Sequence, residues 1–500
     1  MDSPRDLILW LVGSLVAVLT TRSIYRLYFH PLSKYPGPPI AAVSDIWYGL
    51  GWLSGRWPWI VENALKKYGD VVRIAPNELV FVRPGALSDI YGAHYKNIEL
   101  FPKTQINNHG SEARGGLIWE WDAMRHREVA KLISPAFSGR ALRAKEPALC
   151  KHIDSFIEHV IPDGQSEQGV SLPNWLNWLC IDISADMAYN REMNAIKSKT
   201  NPPYLDLIYG FNKFMTVTQV SWRFPLFSPL KYLFILSSLS RPHGDIKRHS
   251  RARLEERIRQ KPGHLDYFEQ IVPEDREPPS DPKEMRHLEQ VAAQLLVAGY
   301  EPPSVWLYST IYHLLEEADS LRYLVDEIRG SFNSYEEITS DSVLPLSYLT
   351  ACLKEGLRIL PNTASSHGMP CISPGTTVDG HYIPEGVVCQ SSTFALARSG
   401  KHFIDPLHFR PARWLPLDHP LYDARFARDN LTGYQPFSQG PRACMGKEVA
   451  WWEARLFLAK LLWSFDPELV SGQRIDIEKD LRVYGMYIKP EIRVRFIPAK

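Results

Sequence analysis

The first long apolar run of the chain lies at its N-terminus, where residues 7–21 are uncharged and mostly apolar. As a helix this run would span about 22 Å at ~1.5 Å per residue, which is short of the ~30 Å hydrocarbon core of a membrane. Residues 23–25 would extend the span if the Arg22 side chain snorkels to the interface. A cleaved signal peptide is the alternative, but it needs small residues ahead of a cleavage site. We therefore expect residues 1–29 to form a single membrane-anchor helix.

The charges on either side of this run predict its orientation in a membrane. Arg22, Arg26 and Lys34 follow the run, whereas Arg5 precedes it. Basic residues favour the cytoplasmic side of a membrane. We therefore expect the large C-terminal part of the chain to face the cytoplasm.

A proline-rich segment, residues 30–40, follows the apolar run. Proline fixes its own φ and disfavours helix in the residue before it, so this segment predicts a stiff, extended connector. Beyond it, residues 71–74 and 78–82 are short β-like runs separated by Ala75-Pro76-Asn77. This pattern predicts a hairpin of a small sheet.

The rest of the chain reads mainly as helix. Residues 120–360 show helical periodicity, residues 371–410 return to short strands and turns, and a last helical stripe follows Cys444. Internal repeats and low-complexity tracts are absent from the sequence. We predict a mainly α fold with a minor β part, with residues 41–500 forming one domain.

One predicted helix contains two consecutive prolines. Residues 282–318 carry a long apolar stripe that would form one helix but for Pro302 and Pro303 in its middle. A proline in a helix interior removes a donor and clashes one turn back, at about 3 kcal/mol or more. We therefore expect the helix to open here and to free the carbonyl groups of Ala298 and Gly299.

Composition and charge exclude several classes of protein. Hydrophobic residues make up 45% and charged residues 23% of the chain, which is typical of a globular protein. The net charge of +1 predicts no nucleic-acid partner. The six cysteines are scattered without a C-x-x-C pair, which argues against a zinc site or a disulfide framework. We expect five of them to be buried free thiols, with Cys444 as the exception.

Cys444 lies in a glycine-rich loop just before a predicted apolar helix. Gly440 and Gly446 allow the backbone to bend around the sulfur and allow a flat ligand to approach. Backbone N–H groups at the start of the helix would stabilise a thiolate. Arg442 offers a cation to a ligand carboxylate, and Phe437 could keep water off the sulfur.

The spacing F-x-x-G-x-R-x-C-x-G over residues 437–446 resembles the haem-binding signature of the cytochrome P-450 family. The resemblance implies the P-450 fold and a haem whose iron takes its axial thiolate from Cys444. It extends to Glu355-Gly356-Leu357-Arg358, which looks like the E-x-x-R of the family, and to the segment around Arg413. By resemblance, Glu355, Arg358 and Arg413 form a buried charge cluster that holds the haem-binding core.

The resemblance also assigns haem-propionate contacts, with two departures. In the register of Ser134-Pro135, His126 takes the place of the usual aromatic or histidine contact. Trp121 and Arg125 also fit a W-x-x-x-R spacing, but in a register shifted from Ser134-Pro135, and a solvated basic helix face is the alternative for this segment. The basic residue expected four positions later is Ala130, and Cys371 stands where many relatives carry an arginine. We therefore expect haem binding to depend more heavily on Arg442 and His126.

In relatives, the long helix carries A-G-x-[DE]-T-[ST]. Ala298, Gly299 and Glu301 match this pattern, but Pro302 replaces the threonine that helps to protonate bound dioxygen. We expect Glu301 to relay protons, and Ser304 to replace the missing hydroxyl only if the helix break turns it inward. A surface role is the alternative for Glu301.

The chain lacks a G-x-G-x-x-G or other dinucleotide motif, so it cannot draw electrons directly from NADPH. The resemblance implies a membrane-bound NADPH–cytochrome P-450 reductase as its partner. The segment Tyr28-Phe29-His30-Pro31-Leu32 looks like microsomal members of filamentous fungi, many of which act on secondary metabolites. We therefore expect monooxygenation of a lipophilic small molecule at the endoplasmic reticulum membrane.

Two other functions stay open at this stage. A haem-thiolate isomerase or dehydratase would rearrange its substrate without a reductase, and the proline pair leaves room for an atypical oxidative rearrangement. A haem-binding or sensor protein without enzymatic activity would be inert even with reductase present. Dependence of turnover on oxygen and NADPH separates these alternatives.

Overall fold

The computed structural model describes residues 4–104, 116–225, 251, 256–257, 267, 281–361 and 369–499. Helices make up most of the described chain. In chain order they are α1 Pro4–Ile24, α2 Pro39–Val43, α3 Ile46–Leu53, α4 Trp57–Tyr68, α5 Pro84–Leu87, α6 Ala123–Ile133, α7 Gly139–Gly164, α8 Leu172–Tyr189, α9 Ala195–Ser198, α10 Pro203–Trp222, α11 Pro282–Glu316, α12 Ala318–Ser331, α13 Ser347–Ile359, α14 Thr393–Ala397, α15 Lys447–Ser464 and α16 Ile477–Asp480.

Short strands form the minor β part. In chain order they are β1 Val71–Ala75, β2 Glu78–Phe81, β3 His94–Tyr95, β4 Ile98–Glu99, β5 Val170–Ser171, β6 Cys371–Ile372, β7 Thr376–Val378, β8 His381–Ile383, β9 Val388–Ser391, β10 Phe465–Leu469, β11 Arg482–Val483, β12 Tyr487–Ile488 and β13 Arg493–Pro498. The predicted mainly α fold with a minor β part is confirmed.

The largest sheet has the strand order β1-β2-β9-β6. Its first two strands form the antiparallel hairpin that the sequence predicts. β9 runs parallel to β2, and β6 pairs antiparallel with β9. A second sheet, β10-β13-β5, ties the C-terminus to the segment before α8.

The long helix α11 runs through the main hydrophobic core. Its side chains Val305, Trp306 and Leu307 are fully buried. Two glycines allow close packing of its neighbours: a Cβ atom at Gly299 would overlap Ser184 of α8, and one at Gly356 of α13 would overlap Thr310 of α11. α11 is therefore held between α8 and α13.

α11 continues without a break from Pro282 to Glu316, through Pro302 and Pro303. The expectation that the proline pair opens this helix is wrong. Two hydrogen bonds are still missing, because neither proline has an N–H group for the carbonyls of Ala298 and Gly299. Tertiary packing outweighs this loss, since α8 and α13 enclose the helix on both sides.

Hydrogen bonds to these neighbours fix α11 on either side of the prolines. Before them, Ser184 Oγ of α8 donates to the Leu296 carbonyl at 2.7 Å. After them, Trp306 Nε1 donates to the Leu353 carbonyl of α13 at 2.8 Å. Ser309 Oγ donates to the Gly356 carbonyl at 3.1 Å. Hydrogen bonds to α8 and α13 therefore hold α11 in place where its own backbone hydrogen bonds are incomplete.

The N-terminal helix is apolar and stands clear of the core. Residues Pro4–Phe29 form a continuous helical segment whose most apolar 18-residue window has a mean hydropathy of 1.9 and no buried residues. Among the described residues, it is the one helix long and apolar enough to cross a membrane. It is therefore consistent with a membrane anchor.

The end of this helix and the following connector are fastened to the first sheet. The buried Arg73 side chain of β1 donates to the Arg26 carbonyl at 2.7 Å, and its backbone N–H donates to the Pro36 carbonyl at 2.8 Å. Leu32 and Tyr35 of the connector are buried against this sheet. The division of the chain at residues 29 and 40 stays a prediction.

The close approach of α13 to α11 generates a stability prediction. Replacing Gly356 by alanine should lower the melting temperature of the protein, because the new methyl group overlaps Thr310. Overpacking of this kind destabilises by about 1–3 kcal/mol. The matched control is Gly330→Ala in α12, where a Cβ atom meets nothing within 4 Å. That change should raise stability by about 0.5–1 kcal/mol. Equal melting temperatures for the two variants would contradict the packing described here.

Candidate active site

The loop before α15 places the candidate ligand Cys444. Gly440 has φ +70°, and a Cβ atom there would overlap the Tyr91 carbonyl oxygen. The Cys444 N–H donates to the Phe437 carbonyl at 2.8 Å, which closes the loop on itself. The Phe437 ring packs edge-on to Trp306 of α11, with 6.1 Å between ring centroids. The loop is therefore a rigid turn that contacts the long helix.

The Cys444 thiol is accessible although it lies deep in the protein. Its side chain is exposed, yet burial raises the pKa of the thiol. The two observations describe a group that lines an internal recess. The Gly446 N–H, at the N-cap of α15, donates a hydrogen bond to the sulfur and opposes the rise in pKa. Burial outweighs this hydrogen bond, so the pKa of the free thiol lies above its usual value, and the stabilisation of a thiolate stays a prediction.

Arg442 and His126, the two predicted haem-propionate contacts, lie close to each other. Arg442 pairs with Glu99 through Nε at 2.7 Å and also through its terminal nitrogen, and donates to the Glu120 carbonyl at 2.5 Å. His126 is buried on α6. Burial and then the charges of Arg442 and Lys103 lower the pKa of His126 to about 3. The imidazole is therefore neutral at physiological pH.

Glu355 is the centre of a buried charge cluster. Arg358 donates to its two oxygens from Nε and a terminal nitrogen, both at 2.8 Å, and Arg413 Nε donates at 3.2 Å. The three side chains are fully buried. Although burial opposes it, the charge of Arg358 and then that of Arg413 hold the pKa of Glu355 below its usual value. The structure thus brings the predicted cluster together.

The sequence did not predict two members of this cluster. Asp429 forms a buried ion pair with Arg413, and Trp414 Nε1 donates to Glu355 Oε2 at 2.8 Å. Trp414 directly follows Arg413, so its place in the motif was a usable signal. Asp429 carries no sequence signal, because it reaches the cluster from a separate 3-10 turn.

Ser304 does not take the place of the missing threonine. In the continuous helix it lies roughly 160° around the axis from Pro302, at about 100° per residue. Its Oγ donates to Asn177 Oδ1 of α8 at 2.7 Å and also contacts Lys489 Nζ. Ala298 is exposed and Pro302 partly exposed on the other face of α11. The helix does not break and Ser304 does not turn toward the accessible face, so the condition for Ser304 to replace the threonine hydroxyl is not met.

Glu301 lies between these two faces of α11, roughly 60° around the axis from Ala298. It is buried, so the alternative of a surface role is wrong. Its Oε1 accepts a hydrogen bond from the Tyr487 N–H at 3.1 Å. Burial raises the pKa of Glu301 to about 7, and burial lowers the pKa of Lys489 to about 8. Both groups can therefore exchange protons near neutral pH.

A hydrogen-bonded chain leads from Lys489 to α10. Lys489 Nζ donates to Asn177 Oδ1 at 2.5 Å, and Asn177 Nδ2 donates to Tyr209 Oη at 2.5 Å. Tyr300 Oη donates to Tyr209 Oη at 3.3 Å. Tyr209 is 36% exposed, so the chain has an accessible end. Lys489 and Asn177 carry no motif, and the sequence reasoning missed them.

The residues around the recess fit a haem. Cys444 offers a sulfur ligand, a Cβ atom at Gly446 would meet nothing closer than 3.9 Å, and Arg442 offers a cation to the haem carboxylates. Gly440 instead makes room for the Tyr91 carbonyl oxygen. Glu99 is buried, and its Oε2 accepts no hydrogen bond within the described part of the chain. This oxygen requires a hydrogen-bond donor such as water, which a haem carboxylate does not provide, so the fit to a haem depends on Cys444, Gly446 and Arg442.

Comparison with known proteins supports the same assignment. The cytochrome P-450 family model matches residues 47–494. Cytochrome P-450 monooxygenase TwmD of Talaromyces wortmannii is 64% identical over 99% of this chain and 96% of its own length. Cytochrome P-450 monooxygenase BOA3 of Botryotinia fuckeliana is 33% identical, covering 98% and 96%. Cytochrome P-450 monooxygenase poxC of Penicillium oxalicum is 34% identical, covering 95% and 91%.

The family match covers nearly all of the chain beyond the N-terminal helix, and these relatives align over nearly their full length. The accessible thiol and the buried charge cluster lie within the matched region. The chain therefore belongs to the cytochrome P-450 family of haem-thiolate monooxygenases.

Proposed function

We propose that this monooxygenase binds its haem through Cys444 and oxidises a lipophilic small molecule of a fungal secondary-metabolite pathway. The observation that carries the proposal is the Cys444 thiol, accessible in an internal recess and hydrogen-bonded by the Gly446 N–H. The relatives named above come from filamentous fungi, which supports the fungal context. The residues that form the recess contact the long helix, which supports a substrate site along α11.

Haem with a thiolate ligand supplies the activation of dioxygen, because electron donation from sulfur favours O–O cleavage. Residues of this chain would hold the haem and its sulfur ligand in position. Phe437, in the Cys444 loop, would keep water from the ligated sulfur, and the Gly446 N–H opposes the rise in thiol pKa that burial causes. The Glu355 cluster anchors α13 to the segment around Arg413 and so keeps the haem-binding core rigid. Arg442 and His126 bind the haem carboxylates.

Electrons come from NADPH through a membrane-bound cytochrome P-450 reductase in this proposal. The sequence carries no dinucleotide motif, so a separate protein must supply them. The apolar N-terminal helix and the basic residues after it support attachment to the endoplasmic reticulum membrane, with the catalytic part in the cytoplasm. Attachment would hold both proteins on the same surface.

Glu301 is the residue that passes protons to the accessible face of α11. It lies beside Ala298 on one side and beside the Ser304–Lys489 contact on the other. Its carboxyl group can take a proton from the Lys489 side and release it toward bound substrate or water. Ser304 then lies on the side of Glu301 from which the proton arrives, because its hydroxyl contacts Lys489 and Asn177.

A rearrangement without net hydroxylation is the second candidate function. The observation that favours it is Pro302, which puts a ring where relatives carry a hydroxyl and leaves the Ala298 carbonyl without a helix partner. This carbonyl can accept a hydrogen bond from a substrate. Turnover without oxygen or NADPH would identify an isomerase or dehydratase, and a product without added oxygen atoms would identify an oxidative rearrangement.

Haem ligation by Cys444 makes a spectroscopic prediction. The reduced, carbon monoxide-bound protein should show the red-shifted absorption band of thiolate ligation. Cys444→Ala should lose this band and all turnover, because each of the other five cysteines is buried or partly buried. Cys352→Ala is the control, since Cys352 is buried in α13, and it should keep the band. An unchanged spectrum in Cys444→Ala would contradict the ligand assignment.

Membrane attachment makes a fractionation prediction. The full-length protein should sediment with endoplasmic reticulum membranes and stay there in alkaline carbonate, because Pro4–Phe29 is continuous and apolar. A variant lacking residues 1–24 should be released more readily. Release of the full-length protein by carbonate, or its secretion with a new N-terminus, would show that the helix is not an anchor.

Proton delivery by Glu301 makes a coupling prediction. Glu301→Gln should cut the rate of product formation by about a hundredfold or more, lower the product formed per NADPH and raise peroxide release, since one proton-transfer group typically contributes 10²–10⁴-fold to the rate. In the unchanged protein, coupling should fall as pH rises through about 7, because the pKa of Glu301 lies near 7 and its proton is lost above it. Glu301→Gln should not show this pH dependence.

The control for this experiment is Glu316→Gln, an exposed carboxylate at the end of the same helix. It should leave coupling and its pH dependence unchanged. The substrate would be the metabolite that accumulates in a strain deleted for this protein. Wild-type coupling in Glu301→Gln would show that another group delivers the proton.

A further inference from the structure

A buried lysine lies beside the position where the arginine expected from the resemblance is absent. Lys103 and Cys371 face each other as an isolated β-bridge. The Ile372 N–H donates to the Pro102 carbonyl at 2.8 Å, and the Thr104 N–H donates to the Pro370 carbonyl at 3.1 Å. The backbone on both sides of Lys103 is therefore fixed against the strand that starts at Cys371.

The Lys103 side chain is buried without a counter-ion. It is 6% exposed, and its Nζ donates to the Ile118 carbonyl at 2.7 Å. Among the described residues, no carboxylate lies within ion-pair distance of Nζ. Burial, and then the charge of Arg442, lower the pKa of Lys103 to about 7. A buried cation next to a second cation is unfavourable unless an anion binds between them.

Ion pairs within the described chain engage the other charged groups near Lys103. Arg442 is paired with Glu99, and Glu120 lies 3.7 Å from Arg125, which also lies 3.8 Å from Asp122. The charges of Arg442 and Lys103 both lower the pKa of His126, so the three side chains lie near one another. The ammonium of Lys103 has two N–H donors left after its bond to Ile118. This arrangement suits a carboxylate that enters from the recess.

We propose that Lys103 binds a haem carboxylate, supplying the cation that Cys371 and Ala130 do not provide. The assignment rests on the proposed function, because it needs a haem ligated by Cys444. Arg442 and His126 would then bind the haem edge together with Lys103. Lys103 is a cofactor-positioning residue, and its effect should be seen in haem retention as well as in activity.

The test measures transfer of haem from the holoprotein to excess apomyoglobin. Lys103→Met keeps the length of the side chain and removes its charge, and it should raise the rate of haem loss about tenfold or more, since bonds between charged groups are the strong ones. Lys103→Arg keeps the cation and should stay within about threefold of the unchanged protein. Lys67→Met, at an exposed lysine of α4, is the matched control and should lose haem at the unchanged rate.

A second-site variant separates haem binding from a structural role. The double variant Lys103→Met with Cys371→Arg places a cation on the neighbouring strand and should restore most of the haem retention. Because the new cation starts from the opposite strand, recovery of haem retention with an unchanged apoprotein melting temperature would argue against a purely structural role for Lys103. Thermal unfolding of each apoprotein provides the second readout and should show similar melting temperatures for Lys103→Met and Lys103→Arg.

Two results would overturn the assignment of Lys103. One is haem loss from Lys103→Met at the unchanged rate. The other is haem loss from Lys103→Arg as fast as from Lys103→Met while both stay folded. A protein that binds no haem in any form would instead contradict the proposed function, so the two failures are distinguishable.

Discussion

The structure depends on one buried carboxylate that is shared by two guanidinium groups. Glu355 accepts hydrogen bonds from Arg358 on its own helix, and from Arg413 and Trp414 more than fifty residues further along the chain. Removing one partner of such a cluster leaves an uncompensated charge, at about 3–5 kcal/mol. This cluster ties α13, which packs on the long helix, to the segment that leads into the Cys444 loop. The position of the Cys444 sulfur thus depends on the Glu355 cluster, although the cluster makes no direct contact with the sulfur.

The long helix α11 has one accessible face and one buried face. Its accessible face carries Ala298 and Pro302, whereas its buried face contacts Asn177 and Lys489 through Ser304. Glu301 is the titratable side chain between the two. Because the prolines leave the helix axis intact, the loss of the usual hydroxyl is a local chemical change and does not alter the architecture around it.

The sequence predicts the class of fold, the hairpin, the apolar N-terminal helix and the Glu355 cluster, because periodicity and short motifs are local properties of the chain. It does not predict the course of α11 through Pro302 and Pro303. Intrinsic propensity disfavours a helix there, but packing by α8 and α13 overrides it. Lys103, Lys489 and Asp429 were missed because each reaches its partners only through tertiary structure. The ligand role of Cys444 and the roles of Glu301 and Ser304 stay proposals.

The bond between Arg73 and the Arg26 carbonyl changes what the N-terminal segment does. A tether would leave the body free to turn over the bilayer, but here the helix end is joined rigidly to the first sheet. Helical geometry then couples length to direction: one residue more or less ahead of Arg26 turns every preceding side chain by about 100° and moves it by ~1.5 Å. With this helix as the membrane anchor that we propose, the lipid-facing side of the helix and the height of the body above the bilayer would be set together.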